Sequence, residues 1–296
     1  MSPSSSRPPA ASASSSCSPR TPPAGGAAAV GCCGGCSTPS WPPAPTAEPR
    51  HGPPRSPGRL HRARARKPRR TPARPARCGG PDLRAWSRTA IAGDLLAVIR
   101  HLGGPAVLVG HSVSGGAATI AAAQEPSLIT AVVELAPFTR KQSIHLGDLR
   151  VKRFRQGTLR LLGADAFGSV LLWRSYLDVA YLGVKPADWD ERLGRVDSLL
   201  REPGRMKAMQ GMGRSAPTDA GAQLGGVRCP VLVIMGTLDP DWADPHAEGS
   251  AIVNALPSGL GRREMIGGAG HYPHDQFPDQ VVSLMLGFLR SAAARA

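Results

Sequence analysis

Apolar residues are scarce over the first 80 residues of this 296-residue chain. Val30, Trp41 and Leu60 are the only Val, Leu, Ile, Phe, Trp or Tyr there. Acid is nearly absent too, with Glu48 alone against 13 Lys and Arg. So little buriable surface cannot offset roughly 1–2 kcal/mol of backbone ordering per residue, and residues 1–80 are expected to be disordered. The segment has no secretory h-region, and its five cysteines form no even framework, which argues against a secreted disulfide scaffold. Cys32-Cys33-Gly34-Gly35-Cys36 is a single ligand knuckle, whereas zinc sites pair two. Neither a metal nor a cofactor is expected. Aromatics are missing from the Arg-rich run 61–70, so nothing is interleaved to stack on bases and the run reads as a solvated tail.

The formal net charge of +15 invites a nucleic-acid or anionic-membrane reading, but its distribution removes the invitation. Residues 1–80 carry 13 basic residues against one acid, while residues 81–296 carry 23 against 20. The basic balance therefore belongs to the leading segment, and neither a specific nucleic-acid partner nor a membrane is expected; the oligomeric state is left open. Ser-rich, Arg-rich and acid-poor composition matches an organelle transit peptide, the alternative to a cytoplasmic location. It also matches a GC-rich stretch translated in the wrong frame or from the wrong start.

Beyond residue 81 the chain changes character. An apolar run, Ala106-Val107-Leu108-Val109, leads into Gly110-His111-Ser112-Val113-Ser114-Gly115 and then the small-residue stretch 116–123. Strand, sharp turn and helix in that order are the context a nucleophile elbow requires. Small residues flank Ser112 because the turn is tight, although position 114 is Ser rather than Gly. A second apolar run, Val231-Leu232-Val233-Ile234-Met235, reads as a strand buried on both faces and closes on Gly236-Thr237-Leu238-Asp239. Loops past the carboxyl ends of such strands carry the chemistry of α/β folds, which favours Asp239 as an acid. Asp241 and Asp244 share that loop and read as solvated. A Gly-rich loop, Gly267-Gly268-Ala269-Gly270-His271-Tyr272-Pro273, follows a short strand-like 264–266 and offers His271 as a base. His274 reads as a surface or core histidine.

A serine, an acid and a histidine in that chain order resemble the α/β-hydrolase family, serine-nucleophile branch. The resemblance rests on the Ser112 elbow, the Gly236-x-x-Asp239 loop and the Gly-x-Gly-His271-x-Pro loop, and it covers the chain from residue 81 on. It implies that Ser112 attacks, that His271 is the general base and that Asp239 orients the imidazole. The Val113 N–H would be one of two oxyanion donors. The Asp-nucleophile branches, haloalkane dehalogenases and epoxide hydrolases, are excluded by the serine. An ester-type or related acyl bond of a small apolar substrate is the expected target; haloperoxidase-like chemistry, C–C bond hydrolysis and acyl transfer use the same triad.

The implied fold is α/β, a mostly parallel sheet flanked by helices, incomplete at its N-terminal side, with a helical cap. Its core would comprise 81–137 and 228–296, and its cap 138–227. Helical patterns run through 159–162, 170–173, 189–200 and 205–212 of the cap. Trp173, Tyr176 and Met209 are the expected substrate-binding residues, with Tyr181, Trp189, Met206 and Met212 as further candidates. Before the elbow strand, residues 90–102 place apolar side chains at 91, 95, 98, 99 and 102, one helical face. The final helix spans about 278–292.

The family also implies a strand beside the elbow strand and a His-Gly loop supplying the second oxyanion donor. No apolar strand run precedes residue 81, and His51-Gly52 follows a proline-rich stretch that makes no buried strand. Residues 106–109 should then be an exposed apolar edge. A lost donor costs about 10²–10³ in kcat. The competing expectation is a catalytically impaired relic of the fold, or a non-enzymatic binding protein.

Overall fold

The computed structural model describes residues 29–32 and 86–294. Five strands form one sheet in the order β1 (Ala29–Cys32), β2 (Ala106–His111), β3 (Ile129–Leu135), β4 (Val231–Gly236) and β5 (Gly261–Ile266), every neighbouring pair parallel. Among the described residues ten α-helices accompany it: α1 (Arg88–Leu102), α2 (Val113–Gln124), α3 (Lys152–Phe167), α4 (Val170–Ala180), α5 (Trp189–Arg201), α6 (Arg205–Gly213), α7 (Thr218–Gln223), α8 (Pro245–Ala255), α9 (Pro273–Gln276) and α10 (Pro278–Ala293). Among the described residues, no helix is long and apolar enough to cross a membrane.

β4 is a continuous apolar run, and β3 is one apart from Thr130 and Glu134, because both faces of the sheet are covered. Side chains alternate across a strand, so Val132, Val231, Val233 and Met235 enter one core with α1, α2 and α8. Ala131, Val133, Leu232 and Ile234 enter the other with Ile266, Val281 and Phe288. Each fully buried Val, Leu or Ile contributes about 1.5–3 kcal/mol. A third cluster, Tyr176, Leu177, Ala180, Tyr181 and Leu193, lies among the helices between β3 and β4.

Three expectations need correction. A strand does precede residue 81: Ala29–Cys32 pairs with β2, Val30 opposite Leu108 and Cys32 opposite Gly110. Parallel pairing is made by backbone N–H and C=O groups, which any residue but proline supplies, so it needs no apolar run. Residues 106–109 are therefore not a sheet edge; apart from β1, the expected disorder of 1–80 and His51-Gly52 lie outside the described residues. α1 buries Arg88, Ala92, Leu95, Leu96 and Ile99, leaving Val98 and Leu102 exposed. The packed face is thus rotated toward Ala92, which faces a small-residue helix, α2, closely. β5 starts at Gly261 rather than 264, its first half masked in the sequence by Arg262 and Arg263 on a half-buried strand.

The three sequence-predicted functional loops all leave carboxyl ends of parallel strands. Ser112 follows β2, Asp239 follows β4 and His271 follows β5. The sheet therefore gathers them at one rim, with β3 alone between the first two.

Candidate active site

Ser112 sits at φ 56, ψ −122, a region that costs a non-glycine residue about 1–3 kcal/mol. Backbone bonds hold it there. Its N–H donates to the Leu135 carbonyl at 3.0 Å, and its carbonyl accepts from Gly115 at 3.1 Å and Phe138 at 3.0 Å. A Cβ at position 110 would collide with the Ser114 carbonyl oxygen, which explains Gly110. Ser114, where a glycine was expected, braces the turn: its hydroxyl donates to the His111 carbonyl at 2.7 Å and accepts from the His111 N–H at 2.9 Å. Val113 opens α2, so its N–H belongs to the set that a helix start leaves without intrahelical partners.

His271 is fixed from two sides. Its N–H donates to Ala180 at the end of α4 at 2.7 Å. Buried Gln276 accepts from Gly270 at 2.7 Å and donates to the Leu182 and Val184 carbonyls at 3.1 and 2.7 Å. At position 270 a Cβ would strike the Ala180 carbonyl oxygen, so the loop can approach α4 only as glycine.

The buried imidazole meets two carboxylates. His271 Nδ1 lies 3.0 Å from Asp239 Oδ2 and 3.1 Å from Asp241 Oδ2. Asp239 is 0% exposed and Asp241 4%. Asp241 is thus not the solvated loop residue expected: its N–H donates to Asp239 Oδ1 at 3.0 Å, and the Tyr176 hydroxyl donates to its Oδ2 at 2.6 Å. A rigid turn with two acids packed under the helices after β3 leaves no water to solvate it. Asp244 is exposed and caps α8, accepting from the Ala247 N–H at 3.0 Å. Burial pulls the His271 pKa down, but Asp239 and Asp241 together outweigh it and raise it to about 9. Asp241 is pushed up, first by burial and then by the charge of Asp239.

Among the described residues the Ser112 hydroxyl makes no hydrogen bond to the imidazole; such contacts tighten when substrate binds. Its neighbours meet the imidazole instead. His111 Nε2 donates to the His271 carbonyl at 2.8 Å, its ring 4.8 Å from that of His271, and the Phe138 ring lies 5.7 Å away. Burial lowers the His111 pKa well below the ordinary range, and His274, 4.7 Å from His111, falls to about 4 for the same leading reason. Those two rings are neutral at pH 7. The Asp239, Asp241 and His271 donor atoms lie within 4.8 Å of one another, close enough for a cation, and Nδ1 is hydrogen-bonded to Asp239 Oδ2.

Sequence reasoning missed several supporting residues. Arg88, 3% exposed, donates to the Phe138 carbonyl at 2.8 Å and to Ser215 at 2.7 and 2.8 Å, tying α1 to the loop behind the elbow. Asp275 receives Arg192 through both oxygens at 2.6 Å and the Tyr181 hydroxyl at 2.7 Å, joining α5 to α9. No local pattern announces bonds between residues so far apart in sequence.

A cavity of about 460 Å³ opens among these helices, lined by Trp86, Trp173, Tyr181, Trp189, Met209, Met212, Tyr272 and apolar residues of α5, with Arg192, Arg195 and Arg205. Of the expected pocket residues, Trp173, Tyr181, Trp189, Met209 and Met212 line it. Tyr176 does not, its hydroxyl being spent on Asp241, and Met206 packs near Gly168. Ser112, Asp239 and His271 do not line the cavity either. Tyr272 stands between: it lines the cavity, stacks on Tyr181 at 4.4 Å and meets the His271 ring edge-on at 5.4 Å.

The sequence model of the alpha/beta hydrolase family matches residues 32–284. The chain belongs to that family. The match begins in β1, well before the motifs that start at residue 81, and it makes this hydrolase an enzyme by descent. No curated protein matches the hydrolase. Among solved structures it resembles an alpha/beta hydrolase enzyme from a Medee basin deep-sea metagenome library, 20% identical over 69% of this chain and 72% of that one, TM-score 0.54. The 2-hydroxy-6-oxo-6-phenylhexa-2,4-dienoate hydrolase of Rhodococcus sp. strain RHA1 is 15% identical over 71% and 73%, TM-score 0.56. A meta-cleavage product hydrolase from Pseudomonas fluorescens IP01 is 15% identical over 74% and 75%, TM-score 0.54. At these identities the hydrolase shares their fold.

Proposed function

We propose that this hydrolase is a serine hydrolase that cleaves an ester-type acyl bond of a small apolar molecule through an acyl-enzyme on Ser112. The carrying observation is the buried Asp239–His271 pair, 3.0 Å apart, at the rim where the strained Ser112 turn leaves β2. His271 takes the Ser112 proton on Nε2 as the hydroxyl attacks, and returns it to the leaving alcohol when the tetrahedral intermediate collapses. Asp239 holds Nδ1–H and so selects the tautomer whose Nε2 is free to accept. The Val113 N–H, aimed outward at the start of α2, is the donor for the developing oxyanion. Water then repeats the cycle on the acyl-enzyme.

Residues 138–227 act in this reading as a cap on a core of 81–137 and 228–296. Their aromatic-lined cavity would hold the apolar part of the substrate away from water, with Trp173 and Met209 in contact with it. The meta-cleavage hydrolases of the same fold make C–C cleavage the second reaction to assay.

A fluorophosphonate probe on the folded chain tests the reading. Labelling that is lost in Ser112→Ala, together with hydrolysis of p-nitrophenyl acetate, is the expected result. A folded protein that neither labels nor hydrolyses would instead be a binding protein on this fold.

A further inference from the structure

We propose that Asp241 is a positioning residue, a second carboxylate that pairs with the His271 imidazole beside its hydrogen bond to Asp239 and is itself held by the Tyr176 hydroxyl from α4. The effect on rate rests on the serine-hydrolase reading; the second ion pair does not. The distances are nearly equal, though only Asp239 makes a hydrogen bond to Nδ1 and Asp241 meets it as an ion-pair partner. Nδ1 stands 3.0 Å from one carboxylate and 3.1 Å from the other, and the two acids are joined by the Asp241 N–H on Asp239 Oδ1.

Burying a second carboxylate here needs compensation, because an unpaired buried charge is costly by several kcal/mol. Among the described residues His271 is the one cation within ion-pair distance of Asp241. Gln142 reaches only the Asp241 backbone carbonyl, and Arg153 donates to the carbonyls of Trp242 and Ala243, so neither neutralises the carboxylate. Asp241 Oδ1 is buried without a hydrogen-bond partner among the described residues. Its compensation therefore comes through Oδ2, which accepts from Tyr176 at 2.6 Å and faces the imidazole.

The groups facing the imidazole are Asp239 and Asp241 from the β4 loop, Tyr176 from α4, His111 from the elbow and Tyr272 and His274 beside it. Tyr176 is held protonated by burial and by the acid it faces, and His111 and His274 are neutral, so the two carboxylates set the balance. No proton leaves Nδ1 in the cycle. The Ser112 proton arrives on Nε2 and departs from Nε2, while Nδ1–H stays on Asp239 with Asp241 beside it. One negative charge more than a simple triad makes the imidazole a stronger base, and hydrolysis then requires a higher pH before His271 is free to accept.

The decisive measurement is the pH dependence of kcat/KM for p-nitrophenyl acetate with the full chain, with Asp241→Asn and with Tyr176→Phe, alongside an NMR titration of the His271 imidazole. Removing the second carboxylate should move the acid limb and the imidazole titration down by about one pH unit or more. Plateau kcat should fall about tenfold, the usual scale for a supporting partner. Tyr176→Phe, which withdraws the bond that keeps Asp241 charged, should move both in the same direction by less, and the double variant no further than Asp241→Asn. A folded Asp241→Asn whose limb and imidazole titration stay at the parent values overturns the proposal. If Asp241→Asn does not fold, an unmoved titration in Tyr176→Phe overturns it equally. Should the parent neither hydrolyse nor take the fluorophosphonate, the serine reading falls and the imidazole titration alone decides Asp241.

Discussion

The loops after β2 and β4 hold their functional residues by opposite means. At the β2 end, Ser112 is held almost wholly by backbone: three main-chain hydrogen bonds and a glycine that lets Ser114 close in. At the β4 end the work falls to side chains, with Asp239, Asp241, Tyr176 and His271 in one buried hydrogen-bonded set. The difference follows from what each loop must fix. A nucleophile needs a fixed position, which strain in the chain supplies, and leaves the activation of its hydroxyl to the base. A general base needs its proton on a stated nitrogen, which here the buried Asp239 carboxylate specifies.

The comparison predicts where substitutions bite. Ser112→Ala should abolish hydrolysis, by at least about 10⁴-fold, while leaving the melting temperature nearly unchanged, because the backbone bonds that set φ 56 survive. Activity within tenfold of the parent would remove Ser112 from the mechanism. Asp239→Asn should cost about 10⁴ in kcat, since an amide can present its N–H and favour the wrong tautomer. A loss no greater than that of Asp241→Asn would make the two acids interchangeable and would shift the assignment between them.

Legibility divides along the same line. The β2 loop announces itself in sequence because backbone strain demands small residues at fixed offsets, here Gly110, Ser114 and Gly115 after an apolar run. The parallel sheet is equally readable from the apolar runs 106–109 and 231–235, the second buried on both faces and the first alternating between buried and half-buried side chains. The β4 loop displays three aspartates, and nothing local separates them. What separates them is a hydroxyl 65 positions earlier in the chain, a contact with no periodicity to betray it. Arg88, which meets Phe138 and Ser215 across 50 and 127 positions, was unreadable for that reason. β1 escaped notice for another: a strand of Ala, Val, Gly and Cys pairs through its backbone, without the side-chain pattern that marks β3 and β4.

Arg88 offers a way to break the backbone-held loop from outside. Its guanidinium bonds the carbonyl of Phe138, whose N–H in turn holds the Ser112 carbonyl. Arg88→Met keeps the aliphatic stem but withdraws a charged donor from three part-buried acceptors, each costing about 1–3 kcal/mol. The variant should lose about 4 kcal/mol of stability in chemical denaturation, with fluorophosphonate labelling at Ser112 slowed in the protein that remains folded. A loss under about 1 kcal/mol would show that the elbow holds its strain unaided.

The smallest effect concerns β3, the strand between the two loops. Glu134 faces Gly110 across β2 and β3, is fully buried and accepts from the Thr119 and Thr139 hydroxyls, the latter at 3.1 Å. Burial raises its pKa from 4.5 to about 7, against the opposing pull of the two hydroxyls. Because the folded value lies above the unfolded one, the protonated carboxyl supports the fold fully below about pH 4.5. That support is lost as the pH rises through about 7, and above it the fold carries a buried charge costing about 3 kcal/mol. Glu134→Gln keeps an acceptor for both threonines and removes the charge. Thermal melts should therefore find the variant close to the parent at pH 5 and more stable at pH 8, the gap opening between those values. A gap of equal size at both pH values would mean that Glu134 titrates outside this window and that β3 takes no part in setting the charge balance between the two loops.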